Sequence, residues 1–269
     1  MRTCEVAVIG LGLMGSAALH SLLRRSVDVL GFDPLTVGEA RGSSHGSCRI
    51  YRRFNFENDS YTELSDAAFA GWRALEAESG KTLLKPSRVL EAGPPGSPMV
   101  ASSRAAARRK GAVSGLTCGA EANAAFPAFR LPDDWDVVVQ ESGGILMAEA
   151  AVRAFQQAAG DRIIRAAAQM QPTPDGIRIT TAHEQVMAEK IIVAAGPWIA
   201  PFVPGLAQHL KVTRQVVGWF KPVKPETVRY GEFPIFLVEQ RQRRFPLFGW
   251  TVTASGVGCE RSARMRQPG

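Results

Sequence analysis

Three features of the sequence predict an α/β protein of two interleaved domains, one Rossmann-like and dinucleotide-binding, the other an α+β domain built on an antiparallel sheet. They are a Gly10-x-Gly12-x-x-Gly15 turn set between a strand-like and a helix-like run, an aspartate closing the next strand, and two changes of texture further along the chain. Residues 5–9 read as a strand, 14–25 as a helix and 27–32 as a second strand, which makes a βαβ unit. In such a unit Gly10 permits the tight turn, Gly12 lets backbone approach a pyrophosphate, and Gly15 lets helix and strand pack closely. The N-terminus of the helix attracts the negative charge. Asp33 follows Gly12 by 21 positions and ends the second strand, where a carboxylate accepts hydrogen bonds from ribose hydroxyls. The competing reading is a glycine-rich turn beside an ordinary surface aspartate. The fingerprint alone does not separate NAD from FAD, because both carry the adenosine diphosphate half.

Past residue 33 the texture changes repeatedly. The small and polar residues of 38–46 favour a loop near a ligand. Residues 61–79 carry Leu64, Ala67, Ala68, Trp72 and Leu75 at helical spacing, which predicts a helix packed by that face and stopped by Gly80. A mixed stretch follows. At Gly143-Gly144-Ile145-Leu146 the βα texture returns, with a helix over 149–159, a hairpin around Pro174-Asp175-Gly176, and a buried strand in Lys190-Ile-Ile-Val-Ala-Ala-Gly196. From residue 211 onward the alternation of Val212, Gln215, Val217 and Trp219, then of Phe233, Ile235 and Leu237, predicts antiparallel strands. The expected domain segments are 1–85 and 141–210 for the dinucleotide-binding domain, 86–140 and 211–257 for the second domain, and a basic tail over 258–269.

Composition narrows the function classes. A chain of 269 residues with 45% hydrophobic and 21% charged content can bury a sizeable core. It starts without a basic and apolar leader and holds no run of roughly 18 apolar residues, so a cytoplasmic protein without a membrane partner is expected. Cys4, Cys48, Cys118 and Cys259 are scattered with no CxxC spacing, which predicts reduced thiols and neither a metal site nor a disulfide framework. The net charge of +7 invites a nucleic-acid reading, yet six arginines against one acid over 241–269 supply five of those charges. No aromatic residues interleave with them after Trp250, so a base-stacking platform is missing and nucleic acid is not an expected partner. The five tryptophans, Trp72, Trp135, Trp198, Trp219 and Trp250, suit a substrate cage or the core; aromatics are more often core, and none is assigned to catalysis.

The segment Gly42-Ser43-Ser44-His45-Gly46-Ser47-Cys48-Arg49-Ile50-Tyr51-Arg52 resembles the GSSHG-x-x-R-x-x-R segment of the monomeric sarcosine oxidase and N-methyl-tryptophan oxidase family. Glu141-Ser-Gly-Gly-Ile-Leu146, Ile191-Ile-Val-Ala-Ala-Gly-Pro-Trp198 and Arg214-Gln215-Val216 are similar to the same family, and together these stretches span the chain to about residue 257. The resemblance implies a glutathione-reductase-type FAD-binding domain interleaved with a substrate domain. It implies FAD contacts at Gly10, Gly12, Met14, Gly15, Asp33, Ser43, Ser44, Ala195 and Gly196. His45 and Arg49 would lie against the flavin ring, and Arg52 would help hold a substrate carboxylate. Those residue types suit such roles, since cationic groups stabilise the negative charge of a reduced flavin and a guanidinium matches a carboxylate with a two-pronged fork. Without the resemblance, Arg49, Arg52 and Arg53 read as a solvated charge run and His45 as a turn residue.

The activity so implied is FAD-dependent oxidation of an N-methyl amino acid by oxygen, giving hydrogen peroxide, in a monomer. The likeness breaks near the end. Ser255-Gly256-Val257-Gly258 stands where the family has a Gly-Val-Lys turn, no counterpart of the family's flavin-linking cysteine is found, and Cys259 lies in a stretch unlike the family. A truncated, catalytically inactive FAD- or ADP-binding chain is therefore the alternative, with a nicotinamide-dependent dehydrogenase the third reading.

Overall fold

The computed structural model describes residues 1–39, 41–58, 60–112, 115–213, 221–239 and 247–249, the last three by backbone alone. In chain order the strands are β1 (Arg2–Ile9), β2 (Val29–Phe32), β3 (Arg49–Tyr51), β4 (Leu84–Gly93), β5 (Asp136–Leu146), β6 (Ile163–Ile164), β7 (Gln169–Thr173), β8 (Gly176–Thr180), β9 (Gln185–Val193), β10 (Ile235–Val238) and β11 (Leu247–Gly249). The α-helices are α1 (Leu13–Leu23), α2 (Ser60–Ser79), α3 (Pro98–Arg109), α4 (Gly119–Ala125), α5 (Ala148–Gln157) and α6 (Pro204–Ala207). Two compact units result, Met1–Cys48 with Leu75–Leu83 and Met147–Gly218, and Arg49–Ala74 with Leu84–Leu146 and Trp219–Gly269. These divisions differ from the expected 85, 140 and 210: residues 49–74 and the Gly143-Gly144 stretch fall in the second unit.

The first unit is an α/β sheet in the order β6-β2-β1-β9-β8-β7. β6, β2, β1 and β9 run parallel, and β9, β8 and β7 form an antiparallel meander. β2 and the second half of β1, from Val6 to Ile9, lie inside the sheet with both faces covered, so they read as unbroken apolar runs. Ala7, Ile9, Leu30 and Phe32 join one core, while Val6, Val8 and Val29 meet Leu19 of α1 on the opposite side. The expected hairpin at Pro174-Asp175 is present, with Thr173 paired to Gly176. The second strand starts two residues later than expected because Ser26 takes a left-handed turn (φ 58°) after α1 and Val27 N still donates to Leu22 O.

The second unit is a sheet in the order β11-β10-β4-β5-β3. It is antiparallel except where β10 runs parallel to β4, a departure from the expected antiparallel strand at Phe233, Ile235 and Leu237. Leu90, Ala92, Val137 and Val139 point to one face, beneath Phe126 and Phe129. The residues between them point to the other, where α3 packs with Val100, Ser103 and Ala107 buried. α3 starts cleanly: Pro98 sits in its first turn and Ser97 Oγ accepts from Val100 N at 3.2 Å.

Two expectations about packing are corrected. In α2 only Leu75 of the expected apolar face is buried; Leu64, Ala67 and Ala68 are not. Hydrogen bonds from polar positions orient this helix instead: Tyr51 Oη donates to Ser65 O, Arg53 Nε to Asp66, and Arg73 to Leu84 O. Trp198 is exposed rather than core, whereas Trp72 and Trp135 are partly buried and Trp219 and Trp250 lie outside the described residues. The stretch 214–220, which contains the expected strand at Gln215 to Trp219, also lies outside them. No described helix is long and apolar enough to cross a membrane.

A Cβ on Gly15 would stand 1.8 Å from Gly10 O, a backbone atom that cannot swing aside. Gly15→Ala should therefore destabilise the protein by about 1–3 kcal/mol or more, despite the better helix propensity of alanine. Urea unfolding of the two proteins checks this.

Candidate functional site

In the first unit the ends of β1, β2 and β9 fall on one line, since Ile9 pairs with both Phe32 and Val193. Gly10 follows β1 with φ +90°, and a Cβ there would lie 2.5 Å from Ala194 O. The turn is held on every side. Leu11 N donates to Asp33 Oδ2 at 2.6 Å and Leu35 N to Asp33 Oδ1 at 2.8 Å. Leu11 O receives Ser16 Oγ at 2.9 Å and Gln156 Nε2 at 2.8 Å. Leu13 N donates to Ser44 Oγ at 2.9 Å, and a Cβ on Gly12 would come within 3.2 Å of that same oxygen. The half-buried Asp33 carboxylate keeps lone pairs for further donors.

These residues fit a dinucleotide. Backbone at Gly10, Gly12 and Gly15 approaches where any side chain would intrude, α1 begins there without an acidic residue in its first turn, and a carboxylate stands at the neighbouring strand end. The remaining expected contacts lie in the same unit. Met14 is exposed on the first turn of α1, Ser43 is exposed and Ser44 half-buried, and Ala195 and Gly196 follow β9, Gly196 with φ +53°. His45 is half-buried and its Nδ1–H donates to Gly42 O. α5 pins this loop from below: Gly46 N donates to Glu149 Oε1 at 2.8 Å, and Ala148 N to Ser47 O at 2.9 Å. Ser16, Gln156 and Glu149 were not singled out by the sequence; their partners lie up to 145 positions away, beyond any local signal.

In the second unit Arg49 opens β3, paired with Leu146, and is half-buried. Arg52 and Arg53 part company. Arg53 makes a 2.7 Å bond to Asp66, whose carboxyl the guanidinium holds below its usual range. Arg52 turns inward, with its side chain only 14% exposed. Its Nη2 donates to Glu57 Oε1 at 2.5 Å, its Nη1 lies 3.6 Å from Glu91 Oε1 without a hydrogen-bond partner, and its guanidinium covers the Phe56 ring at 4.7 Å. The solvated charge run thus describes Arg53 but not Arg52.

Glu91 is fully buried. Its Oε1 accepts from Gln140 Nε2 at 3.3 Å, and Gln140 also clamps Phe54 through bonds to its N and O at 3.1 and 3.0 Å. Glu91 Oε2 has no hydrogen-bond partner. Burial pushes the Glu91 carboxyl up to about 7, with Ser103 and Arg52 offsetting part of that cost. Sequence reasoning passes over Glu91, although an acid inside Val89-Leu90-Glu91-Ala92 is a readable signal.

Against this geometry, residues 5–255 match the pattern of the DAO family, FAD-dependent oxidoreductases. The chain belongs to that family. FAD is therefore the cofactor of the chain, a choice the glycine fingerprint leaves open. The chain is 30% identical over 256 residues to monomeric sarcosine oxidase of Bacillus sp. (strain B-0618), covering 91% of this chain and 66% of that protein. It is 28% identical over 243 residues to N-methyl-L-tryptophan oxidase of Yersinia pestis (strain Pestoides F), covering 87% and 64%. A solved structure with the same fold is the Tyr258Phe mutant of NikD, an unusual amino acid oxidase essential for nikkomycin biosynthesis, with a TM-score of 0.68 at 21% identity over 77% of this chain and 54% of that one. The chain spans just under two thirds of the length of the curated relatives it matches.

Two outcomes follow from the carboxylates. Asp33→Ala should lower stability even without ligand, by about 1.5–3 kcal/mol for each backbone bond to the charged group, and should weaken FAD further; calorimetric unfolding with and without FAD measures both. For Glu91 the folded value of about 7 lies above the ordinary 4.5, so its protonated form favours folding at low pH and that contribution is lost as pH rises from 4.5 through 7. Glu91→Gln should gain on the order of 3 kcal/mol over the wild type between pH 4 and pH 8, read from urea unfolding at each pH.

Proposed function

We propose that the first unit is the FAD-binding domain and the second the substrate domain of an enzyme that oxidises the C–N bond of an N-methyl amino acid of the sarcosine or N-methyl-tryptophan kind. Oxygen is the acceptor. One amine, one oxygen and one water give the demethylated amino acid, formaldehyde and hydrogen peroxide. FAD, when bound, supplies the two-electron acceptor. The chain's own residues bind and orient. The α1 N-terminus and the backbone at Gly12 receive the pyrophosphate, Asp33 the ribose hydroxyls, and Met14, Ser43, Ser44, Ala195 and Gly196 line the cofactor. His45 and Arg49 balance negative charge on the flavin ring. The protein acts as a cytoplasmic monomer.

The observation that carries the substrate class is Arg52. A guanidinium so little exposed, stacked on Phe56 and already holding at Nη2 the carboxylate of the partly exposed Glu57, is placed to receive a carboxylate from outside. The names of the two oxidases, both of N-methyl amino acids, support the same class.

The test combines cofactor and substrate. The purified chain should take up FAD, and Gly12→Val, whose branched side chain would meet Ser44, should not. Peroxide release from sarcosine or N-methyl-tryptophan should show KM raised about 10- to 100-fold in Arg52→Ala, the loss of a charge-assisted bond, with a smaller effect on an N-methyl amine that lacks the carboxylate. FAD uptake by a folded Gly12→Val protein, or an Arg52→Ala enzyme with unchanged KM, would overturn the assignment.

A further inference from the structure

The guanidinium of Arg52 already faces two carboxylates. Glu57 lies on the exposed side, its own side chain 39% exposed, and Glu91 lies on the buried side at 0%. A third carboxylate arriving at Arg52 meets both. Glu57, in the loop after β3, can turn its carboxylate out to water. Glu91 cannot: it is anchored on β4, held by Gln140 of β5, faced by Ser103 of α3, and aligned with the buried Leu237 of β10. Arg52 and Glu57 are the charged groups that act on it, while Gln140, Ser103 and Leu237 bring no charge. A fixed internal anion whose counter-charge is drawn toward a ligand has one way to relieve the imbalance, which is to become neutral.

We propose that Glu91 is a positioning residue that takes up one proton from solvent when a carboxylate ligand joins Glu57 and Glu91 around Arg52, so that ligand affinity is coupled to pH through a buried group that never touches the ligand. The inference rests on the reading of Arg52 as the carboxylate receiver. The proton balance is simple: Glu91 carboxylate plus one proton gives the carboxylic acid, and no other bond changes. Glu91 sits near half-protonation at neutral pH, so the coupling falls where it can be measured. When the ligand is bound, its negative charge and the diverted guanidinium both favour the protonated form further. Affinity therefore falls as pH rises above neutral, by at most tenfold per pH unit, the limit for one linked proton.

The probe is acetate, titrated calorimetrically into the FAD-loaded protein between pH 6 and pH 8.5. Repeating the titration in two buffers of different ionisation enthalpy counts protons directly on the wild-type protein. Uptake should be small at pH 6 and pass through a maximum of less than one proton above pH 7. Glu91→Gln should bind acetate with an affinity independent of pH and take up no proton. Glu57→Gln should bind acetate several-fold more tightly and keep the slope. Wild-type binding with no proton uptake would overturn the role of Glu91 while leaving Arg52 as the receiver, as would a slope that survives in Glu91→Gln and vanishes in Glu57→Gln. Acetate that binds equally well to Arg52→Ala would instead remove Arg52 from the site and take the coupling with it. Should Glu91→Gln fail to fold, the two-buffer proton count on the wild type still decides.

Discussion

The tightest constraint in the first unit is the absence of room at the end of β1. Three backbone segments, the β1–α1 turn, the start of α1 and the residues after β9, meet so closely that a single Cβ at Gly10 or Gly15 would overlap a carbonyl oxygen. That contact fixes the angle at which α1 leaves the sheet, and hence where its electropositive end points. Sheet register does the rest. Because β2, β1 and β9 are parallel and aligned at Phe32, Ile9 and Val193, whatever follows each strand is delivered to the same edge. Gly10, Asp33 and Ala194 are neighbours for that reason, and open α/β sheets bind their ligands outside the carboxyl ends of such strands.

The second unit solves a different problem. Alternation along β4 sends Leu90 and Ala92 into the aromatic cluster and so obliges Glu91 to face α3. An isolated buried carboxylate is costly, and the neighbours of Glu91 only partly offset that cost: an amide from Gln140, a hydroxyl, and a guanidinium at a distance too long for a hydrogen bond. An apolar residue would pack at this position at lower cost. A carboxylate held there makes the orientation of Arg52 dependent on an internal partner, which a surface ion pair such as Arg53–Asp66 does not do.

What is legible in the sequence follows the range of the interactions. The glycine turn, Asp33, the βαβ unit and the hairpin at Pro174-Asp175 are encoded within a few tens of residues, and each stands where the spacing puts it. Apolar spacing misplaces the buried side of α2 because it assumes that a helix is oriented by its hydrophobic face, whereas Asp66 and Arg73 tie this one down by charge and hydrogen bonding. Alternation leaves the parallel pairing of β10 with β4 unread, although β10 does run antiparallel to β11, because it reports which face is buried and nothing about the partner strand, here β4 146 positions earlier. Ser44 enters through a resemblance, yet its contact with Leu13 spans 31 residues and no local pattern encodes it.

That contact bears on how the cofactor cradle works. Leu13 N and Leu11 N are among the donors at the start of α1, and in this structure Ser44 and Asp33 already accept from them. The protein thereby avoids leaving polar groups exposed to an apolar neighbourhood, and those groups are partly spoken for as a result. A pyrophosphate is a stronger acceptor than a hydroxyl, and the Ser44 side chain can turn away where the Asp33 carboxylate, bonded at both oxygens, cannot. The two residues therefore differ: Asp33 holds the turn through both oxygens, and Ser44 satisfies one donor at the helix end through a single hydroxyl. Since the chain runs directly from Ser44 through His45 and Arg49 to Arg52, one short segment carries a helix-end acceptor in the first unit and the inward guanidinium in the second.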